Sequence, residues 1–431
     1  MRVLLVGDGA REHVLAEQLA RSSELYVAMQ RRNPGIAQTA QKYMVCDYSN
    51  MEAIGAWAIR EKIELALVTS ETALSRGISD TLAEIGIALA SPPGAGAMIG
   101  ENNVYAFNLM KEKGIARPKF FVCRNEAEIK KAMRELPRVV MKPALRVEWR
   151  GTLFGDLDLR KTEFVKEGKK LIKRHGSVIL EAVVDGESFS LQAVTDGRSV
   201  SIMPPVHITK RALDGEKGEL TEGMGGFTSG RLLPCMRESD LETARKSLEG
   251  IVSALKSKGV SYRGPIRGEF MATKGGTMML CAHATFGDMD ALNNLPLLRT
   301  QLTDTLMSAA QGRLTPMSFA EKATVVKCLV PEGYPGKMKK RTDIKINEKA
   351  LWNNGAKVYC ESVEIRKGKL LPLGGRALAI CAAGATVAEA EAKAEAAASS
   401  VDGALRHRKD IGTRDYVNRC AKHVGLIRSP V

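Results

Sequence analysis

Over residues 1 to 90, short apolar runs alternate with longer segments whose apolar positions recur every three or four residues. RVLLVG, ELYVAM, KYMVCD and ELALVTS read as strands, while REHVLAEQLARS, MEAIGAWAIREK and TALSRGISDTLAEIG carry the helical period. Strand and helix in alternation predict a parallel sheet with helices on its faces. SPPGAGAMIG, residues 91 to 100, breaks that pattern and marks a boundary. Beyond it come a helix, a strand at RVVMKP, a basic helix in LRKTEFVKEGKKLIKRHG, and the strand pair SVILEAVV and SFSLQAV. A glycine-rich loop is predicted at EGMGGFTSG, then a helix near 238 to 258 and the hairpin GEFMAT, KGG, TMMLCAH. From about 325 the chain turns to short strands with turns at PEGYPGK and PLGGR, an alanine-rich helix from about 385 to 405, and the tail HRKDIGT.

The length of 431 residues exceeds one compact core and suggests about three domains at roughly 150 residues each. The pattern places them at 1–100, a Rossmann-like parallel α/β unit, at 101–324, and at 325–431, a small mixed α/β unit. The chain as a whole is therefore α/β and α+β multidomain. Hydrophobic residues at 44% and charged residues at 26% can build an ordinary core. The net charge of +15 favours anionic partners such as nucleotides and phosphorylated metabolites. Aromatics are only 5%, and no basic stretch is interleaved with stacking residues, so nucleic acid is the weaker reading. Eight cysteines are scattered singly with no CxxC pair, and no apolar run approaches the roughly 20 residues of a membrane helix. Reduced thiols and a cytoplasmic location are the expectation.

Three stretches carry candidate chemistry. Gly7-Asp8-Gly9-Ala10-Arg11 joins a strand to a helix whose free amides can receive a phosphate. The third glycine of the dinucleotide fingerprint is missing, so the motif alone does not assign NAD and leaves a phosphorylated ligand open. The lysine-rich helix of residues 160 to 174 is most simply a solvated face. In the hairpin, a three-residue turn Lys274-Gly275-Gly276 pairs residue 273 with 277 and hence 269 with 281, which sets Glu269, Cys281 and His283 on one face.

Taken together, VLLVGDGAREHVLA, NPGIA (33–37), VVMK (139–142), LEAVVDGES (180–188), EGMGG (222–226), FGD (286–288), GYPG (333–336), GGRAL (374–378) and HRKDIG (407–412) resemble the phosphoribosylamine-glycine ligases, also called glycinamide ribonucleotide synthetases. The blocks follow that family's order over essentially the whole chain, in an archaeal-like form. The resemblance implies that residues 101–324 form an ATP-grasp domain. It implies a carbon–nitrogen ligase of de novo purine synthesis: ATP phosphorylates the carboxylate of glycine, and the amine of phosphoribosylamine attacks the acyl phosphate. ATP with Mg or Mn, glycine and phosphoribosylamine are the implied ligands, and a monomer is the expected state.

Carried over residue by residue, the turn Gly7, Gly9, Arg11, Glu12 and His13 falls where the family binds the ribose phosphate. Glu71 falls in a related block. Lys142 matches a lysine on the ATP phosphates. Glu181, Ala182, Val183 and Val184 match the hinge that pairs with adenine through its backbone, and Glu187 the carboxylate that receives ribose hydroxyls. Gly223, Gly225, Gly374 and Gly375 match glycines close to substrate, and Asp288 and Arg376 match residues at the reacting groups. Arg376 would hold a phosphate or carboxylate bidentately. Glu269 and His283 lie where the metal belongs.

The departures concentrate around that metal. The family has Glu and Asn where Cys281 and His283 stand, and the carboxylate has moved to Glu269 on the neighbouring strand. Magnesium prefers hard oxygen ligands, which a thiol cannot supply. A softer ion on Cys281, His283 and Glu269 is the weaker reading beside a buried cysteine and a hydrogen-bonded histidine. After Lys142, no glycine occurs before Gly151, and Arg146 and Arg150 are the substitutes for phosphate-binding amides. An ATP-contacting lysine of the family is replaced by Val104 or Tyr105, an arginine by Thr285, and the residues flanking Glu71 have become Thr69, Ser70 and Ala73. Two alternatives therefore stand beside the ligase: a homologue that binds nucleotide or ribose phosphate without efficient turnover, and a ligase for another acid or amine.

Overall fold

The computed structural model describes residues 1–145, 153–155 and 160–429. Arg146, Arg150 and Gly151, the altered part of the loop after Lys142, lie outside the described residues.

The N-terminal alternation folds as expected. Strands β1 (Arg2–Val6), β2 (Glu24–Met29), β3 (Lys42–Val45), β4 (Leu65–Val68) and β5 (Ala88–Leu89) form a parallel sheet in the order β3-β2-β1-β4-β5. Val3 to Val6 are completely buried because helices cover both faces, which is why the central strand tolerates no polar side chain. Helix α1 (Ala10–Leu19) starts directly after the Gly7–Gly9 turn at the end of β1.

Strands β6 (Phe120–Cys123), β7 (Val139–Pro143), β8 (Leu153–Phe154) and β9 (Val178–Ala182) form a second sheet in the order β6-β9-β7-β8. The helices Glu126–Glu135 and Lys161–His175 cover one face of it through Ile129, Ala132 and Phe164. On the lysine-rich helix only Phe164 and Gly168 are buried, so its charged positions are indeed a solvated face.

The remaining strands are β10 (Gly186–Thr195), β11 (Val200–Ile202), β12 (His207–Leu213), β13 (Lys217–Thr228), β14 (Gly264–Thr273), β15 (Gly276–His283), β16 (Ala323–Pro331), β17 (Ala356–Cys360), β18 (Val363–Arg366), β19 (Lys369–Pro372), β20 (Leu378–Gly384) and the two-residue β21 (Leu405–Arg406), which pairs with β16. They make an antiparallel sheet β11-β10-β14-β15, a larger sheet β12-β13-β16-β20-β17, and the ribbon β18-β19. The larger sheet runs from the central hairpin β12–β13 into the C-terminal strands, so the two parts share a backbone ladder along Gly225–Thr228 and Thr324–Lys327.

Two local expectations change. EGMGG is not a loop but part of the twelve-residue strand β13. Its glycines are there for backbone approach: a Cβ on Gly225 would lie 2.1 Å from the Val326 carbonyl oxygen, and one on Gly226 2.5 Å from that of His207. The β14–β15 hairpin pairs Thr273 with Gly276 across a turn one residue shorter than expected, and a bulge next to Glu269 then restores the pairing of Glu269 with Cys281 and of Arg267 with His283. Two departures cancel, so the predicted face survives.

Candidate active site between the lobes

The N-terminal turn and the central sheets enclose a cavity of about 650 Å³. A second cavity of about 270 Å³ lies between the β6–β9 sheet and the β14–β15 hairpin. Lys210, Thr221, Glu269 and His283 line both, so one wall serves two chambers.

In the larger cavity, Gly7, Gly9, Arg11, Glu12, Glu71 and Asp288 all line the walls. Glu12 reaches back to accept a hydrogen bond from the Gly9 N–H at 2.7 Å and another from the Thr69 hydroxyl at 2.6 Å, fixing the turn's shape. A Cβ on Gly7 would stand 2.4 Å from Glu12 Cγ, which accounts for glycine at φ +152°. Arg11 donates to Glu12 at 2.7 Å, to the Thr69 carbonyl at 2.7 Å and to the Phe286 carbonyl at 2.8 Å, and lies 3.3 Å from Asp288. Its guanidinium therefore joins the N-terminal lobe to the FGD turn. Ser70 caps the short helix Glu71–Ser75, placing Glu71 at the rim.

Asp288 opens the helix Asp288–Asn294 and sits between two arginines, Arg11 and Arg376. Burial opposes its charge, but these two guanidinium groups hold its carboxyl below the usual range. Arg376 is not free to grip a ligand as the resemblance suggests. Its side chain is 1% exposed and donates to Glu361 at 2.8 and 3.0 Å, to the Gly223 carbonyl at 3.1 Å, and to Asp288. It clamps three segments together. Burial pushes the Glu361 carboxyl up to about 7 in spite of Arg376.

His13, Glu187, Gly223 and Gly225 also depart from their expected positions, lining none of these cavities. His13 is buried, and its Nδ1 accepts the Cys360 N–H at 2.9 Å while its ring meets Tyr359 edge-on. Burial lowers its pKa to about 4, so it docks β17 as a neutral ring. Asn33 of NPGIA does similar work, donating to the Asp8 and Cys360 carbonyls. Glu187 accepts a hydrogen bond from His423 Nδ1 at 2.7 Å, because the C-terminal helix Arg414–Ile427 packs against β10 on that side. The two glycines of β13 are occupied by strand packing and by Arg376. Gly374 and Gly375 line a third cavity of about 390 Å³ with Arg376, Tyr334 and Glu361.

The smaller cavity collects Lys142 and the run Glu181 to Val184. Lys142 Nζ lies 2.8 Å from Glu181 Oε1 and 3.3 Å from the Leu280 carbonyl. Glu181 Oε2 is buried and has no hydrogen-bond partner among the described residues. Ala182 and Val183 donate their amides to the Lys119 and Arg138 carbonyls, which holds the run extended.

On the shared wall, Glu269, Cys281 and His283 bring one ligand atom each to within 4.8 Å of one another. Glu269 Oε2 lies 2.5 Å from Lys210 Nζ, and Oε1 lies 3.3 Å from Arg267 Nη1. Burial opposes the carboxylate, yet Lys210, His283 and Arg267 keep the Glu269 carboxyl well below the usual range. Magnesium requires near-octahedral oxygen donors, whereas this set offers a thiol, an imidazole and one carboxylate that already carries two cationic neighbours. The residues do not fit magnesium.

Several of these residues escape a reading of the sequence. Arg267 stands two positions before Glu269 on β14, so strand alternation could have found it. Lys210 and Glu222 on strands β12 and β13, and Glu361 in the connection after β17, lie 47 to 92 residues away from Glu269 and carry no local signal.

Family models match the chain in succession: phosphoribosylglycinamide synthetase N domain over residues 1–100, its ATP-grasp (A) domain over 101–291, and its C domain over 324–414. The chain belongs to this family. The phosphoribosylamine–glycine ligase of Pyrococcus horikoshii is 36% identical over 424 residues, covering 97% of this chain and 96% of that protein. The crystal structure of the Thermotoga maritima phosphoribosylamine–glycine ligase superposes with a TM-score of 0.81 at 24% identity, covering 95% of this chain and all of that one. The biotin carboxylase domain of Hydrogenobacter thermophilus 2-oxoglutarate carboxylase, solved with magnesium ADP, shares the fold at a TM-score of 0.73 and 12% identity, covering 100% of this chain and 99% of that one. The family's ATP-grasp domain thus covers both cavities' shared wall. Among the described residues no helix is long and apolar enough to cross a membrane.

Proposed function

We propose that this protein ligates glycine to phosphoribosylamine at the expense of ATP, forming glycinamide ribonucleotide, ADP and phosphate in de novo purine synthesis. The observation that carries the reading is the wall shared by the two cavities. Lys210 and His283 line both chambers, so a nucleotide held in the smaller one would have these two residues between it and the larger chamber that would take the acid and the amine. Its lobes are residues 1–100, 101–324 and 325–431.

In this reading Lys142 takes the phosphates, the backbone of Glu181 to Val184 meets the adenine, and Gly7, Gly9 and Arg11 flank the ribose phosphate. Glu71 and Asp288 face the acid and amine. ATP passes its γ-phosphoryl group to a glycine carboxylate oxygen, breaking the bond to ADP. The amine nitrogen then bonds to the carbonyl carbon, phosphate departs, and the amine loses a proton. Glu361 lines this cavity and titrates at about 7, so it is the group that receives that proton. Lys210 and Arg267 supply positive charge where the transferred group crosses. ATP-grasp relatives work with ATP and a divalent metal. Mn, the other ion the resemblance implies, also favours oxygen donors and fits this thiol and imidazole no better than Mg.

The test is ADP release by purified protein supplied with ATP, freshly made phosphoribosylamine and glycine under Mg or Mn. ADP and glycinamide ribonucleotide should appear together, only when all three substrates are present. No ADP above the level of a Lys142→Met variant would overturn the ligase reading and leave the nucleotide-binding homologue. ADP formed with another acid in place of glycine would reassign the substrate.

A further inference from the structure

The tail block HRKDIG (407–412) lines none of the three cavities. Its middle residues instead grip the tip of the β12–β13 hairpin, Asp214-Gly215-Glu216. Arg408, with a side chain only 1% exposed, donates to Glu216 Oε1 at 2.8 Å, to the Arg211 carbonyl at 2.9 Å, and to both oxygens of Asp410 at 2.7 and 2.8 Å. Asp410 in turn accepts the Gly215 N–H at 2.9 Å, and Asp214 accepts the Lys409 N–H at 3.0 Å. Just before the block, Arg406 on β21 donates to the Ala212 carbonyl at 2.8 Å. Glu216 sits at φ +58°, a left-handed conformation that glycine adopts freely and a side chain opposes. A glutamate at that position answers a need for its carboxylate, which accepts from both Arg408 and the Tyr416 hydroxyl.

The hairpin's own ladder is irregular where it borders the chambers. The β12–β13 register shifts between Thr209 and Arg211 and again between Arg211 and Leu213, so Lys210 and Ala212 fall between paired positions. Lys210 is the residue whose ammonium group stands 2.5 Å from Glu269 Oε2 on the wall between the two chambers. The Thr221 hydroxyl holds the Lys210 carbonyl at 2.7 Å, and the next two carbonyls are the ones held by Arg408 and Arg406. We propose that Arg408 is a positioning residue: by gripping the hairpin tip and the backbone beside Lys210, it fixes where that ammonium group stands. The role rests on the ligase reading above, in which Lys210 supplies positive charge where the phosphoryl group crosses. A catalytic group misplaced by about 1 Å can cost about a hundredfold in rate, so a buried arginine outside the cavities can still govern turnover.

Two variants of the full-length protein test this. Arg408→Gln removes the guanidinium fork, and Glu216→Gly removes its partner at the tip while relaxing the backbone and leaving Arg408 on Asp410. Amide hydrogen exchange over residues 207–222 should quicken about tenfold or more in Arg408→Gln and less in Glu216→Gly. Unchanged exchange in the β1–β5 sheet checks that both variants fold. In steady-state ligation, Arg408→Gln should lower kcat about tenfold to hundredfold while KM for ATP stays within about threefold. Added to Lys210→Met, Arg408→Gln should cost less than about twofold more, because the group it positions is already gone. Losses that multiply in the double variant would make Arg408 a general support of the fold and overturn the proposal. Unchanged exchange over 207–222 in both variants would overturn it too, whatever the activity. A parent that forms no glycinamide ribonucleotide would overturn the ligase reading and this role with it, so the two failures are told apart.

Discussion

Glu361→Gln tests whether a buried acid is held neutral at the junction of the lobes. Arg376 is the cation shared by Glu361, Asp288 and, at 3.8 Å, Glu222. One guanidinium faces three carboxyls, and burial is the largest influence, so Glu361 gives up its charge first and titrates at about 7 instead of 4.5. The sign follows from linkage. Between those two pH values the folded protein holds a proton that the unfolded chain releases, so raising the pH favours unfolding, and the stability present below pH 4.5 is lost as pH rises to 7. At 1.36 kcal/mol per unit the loss is on the order of 3 kcal/mol, an upper figure because the side chain keeps 16% exposure. Glutamine preserves an oxygen for Arg376 Nε but cannot ionise. Urea unfolding followed by circular dichroism, from pH 4.5 to 8, should show the variant gaining on the parent steadily up to about pH 7 and level beyond it. Curves that remain parallel over that range would refute the raised titration of Glu361, on which its switching to a carboxylate that accepts a proton near neutral pH rests.

Three further outcomes can be checked directly. Gly225→Ala places a Cβ 2.1 Å from the Val326 carbonyl at a backbone φ of +149°, so it should destabilise the β13–β16 ladder by about 2 kcal/mol or more, seen as a lower thermal midpoint. Lys142→Met should weaken ATP binding by calorimetry about tenfold to hundredfold, the worth of one charge-assisted hydrogen bond; unchanged affinity would remove Lys142 from the nucleotide site. His13→Ala leaves the Cys360 amide without its acceptor and should cost about 1–3 kcal/mol near neutral pH. Because burial lowers the His13 pKa to about 4, that contribution is present above pH 6.5 and fades as pH falls towards 4, so parent and variant should converge in acid.

Much of the architecture was legible because it depends on local periodicity. The runs at β1, β2 and β4 are apolar enough to be buried on both faces, and only a helix-covered parallel sheet buries them that way. The Glu269, Cys281 and His283 face was legible for a similar reason, since alternation along a strand survives a bulge that compensates a shorter turn. The Gly7–Gly9 turn came through as well, since a glycine at φ +152° is a backbone requirement that shows in a single residue type.

EGMGG shows where local reading ends. Glycines signal that something approaches the backbone closely, but not whether it is a ligand or another strand, and here it is β16, a hundred residues on. The partners of Arg376 and Glu187 were equally invisible: Asp288, Glu361 and His423 come from distant elements, and a charged side chain's surroundings are set by the charges that fold against it. Chain order dictates the pleats and helix faces because neighbouring residues share a backbone. The charge balance of the site, with Lys210 and Arg267 around Glu269 and a neutral acid beside Arg376, arises only when separate sheets meet and exclude water between them.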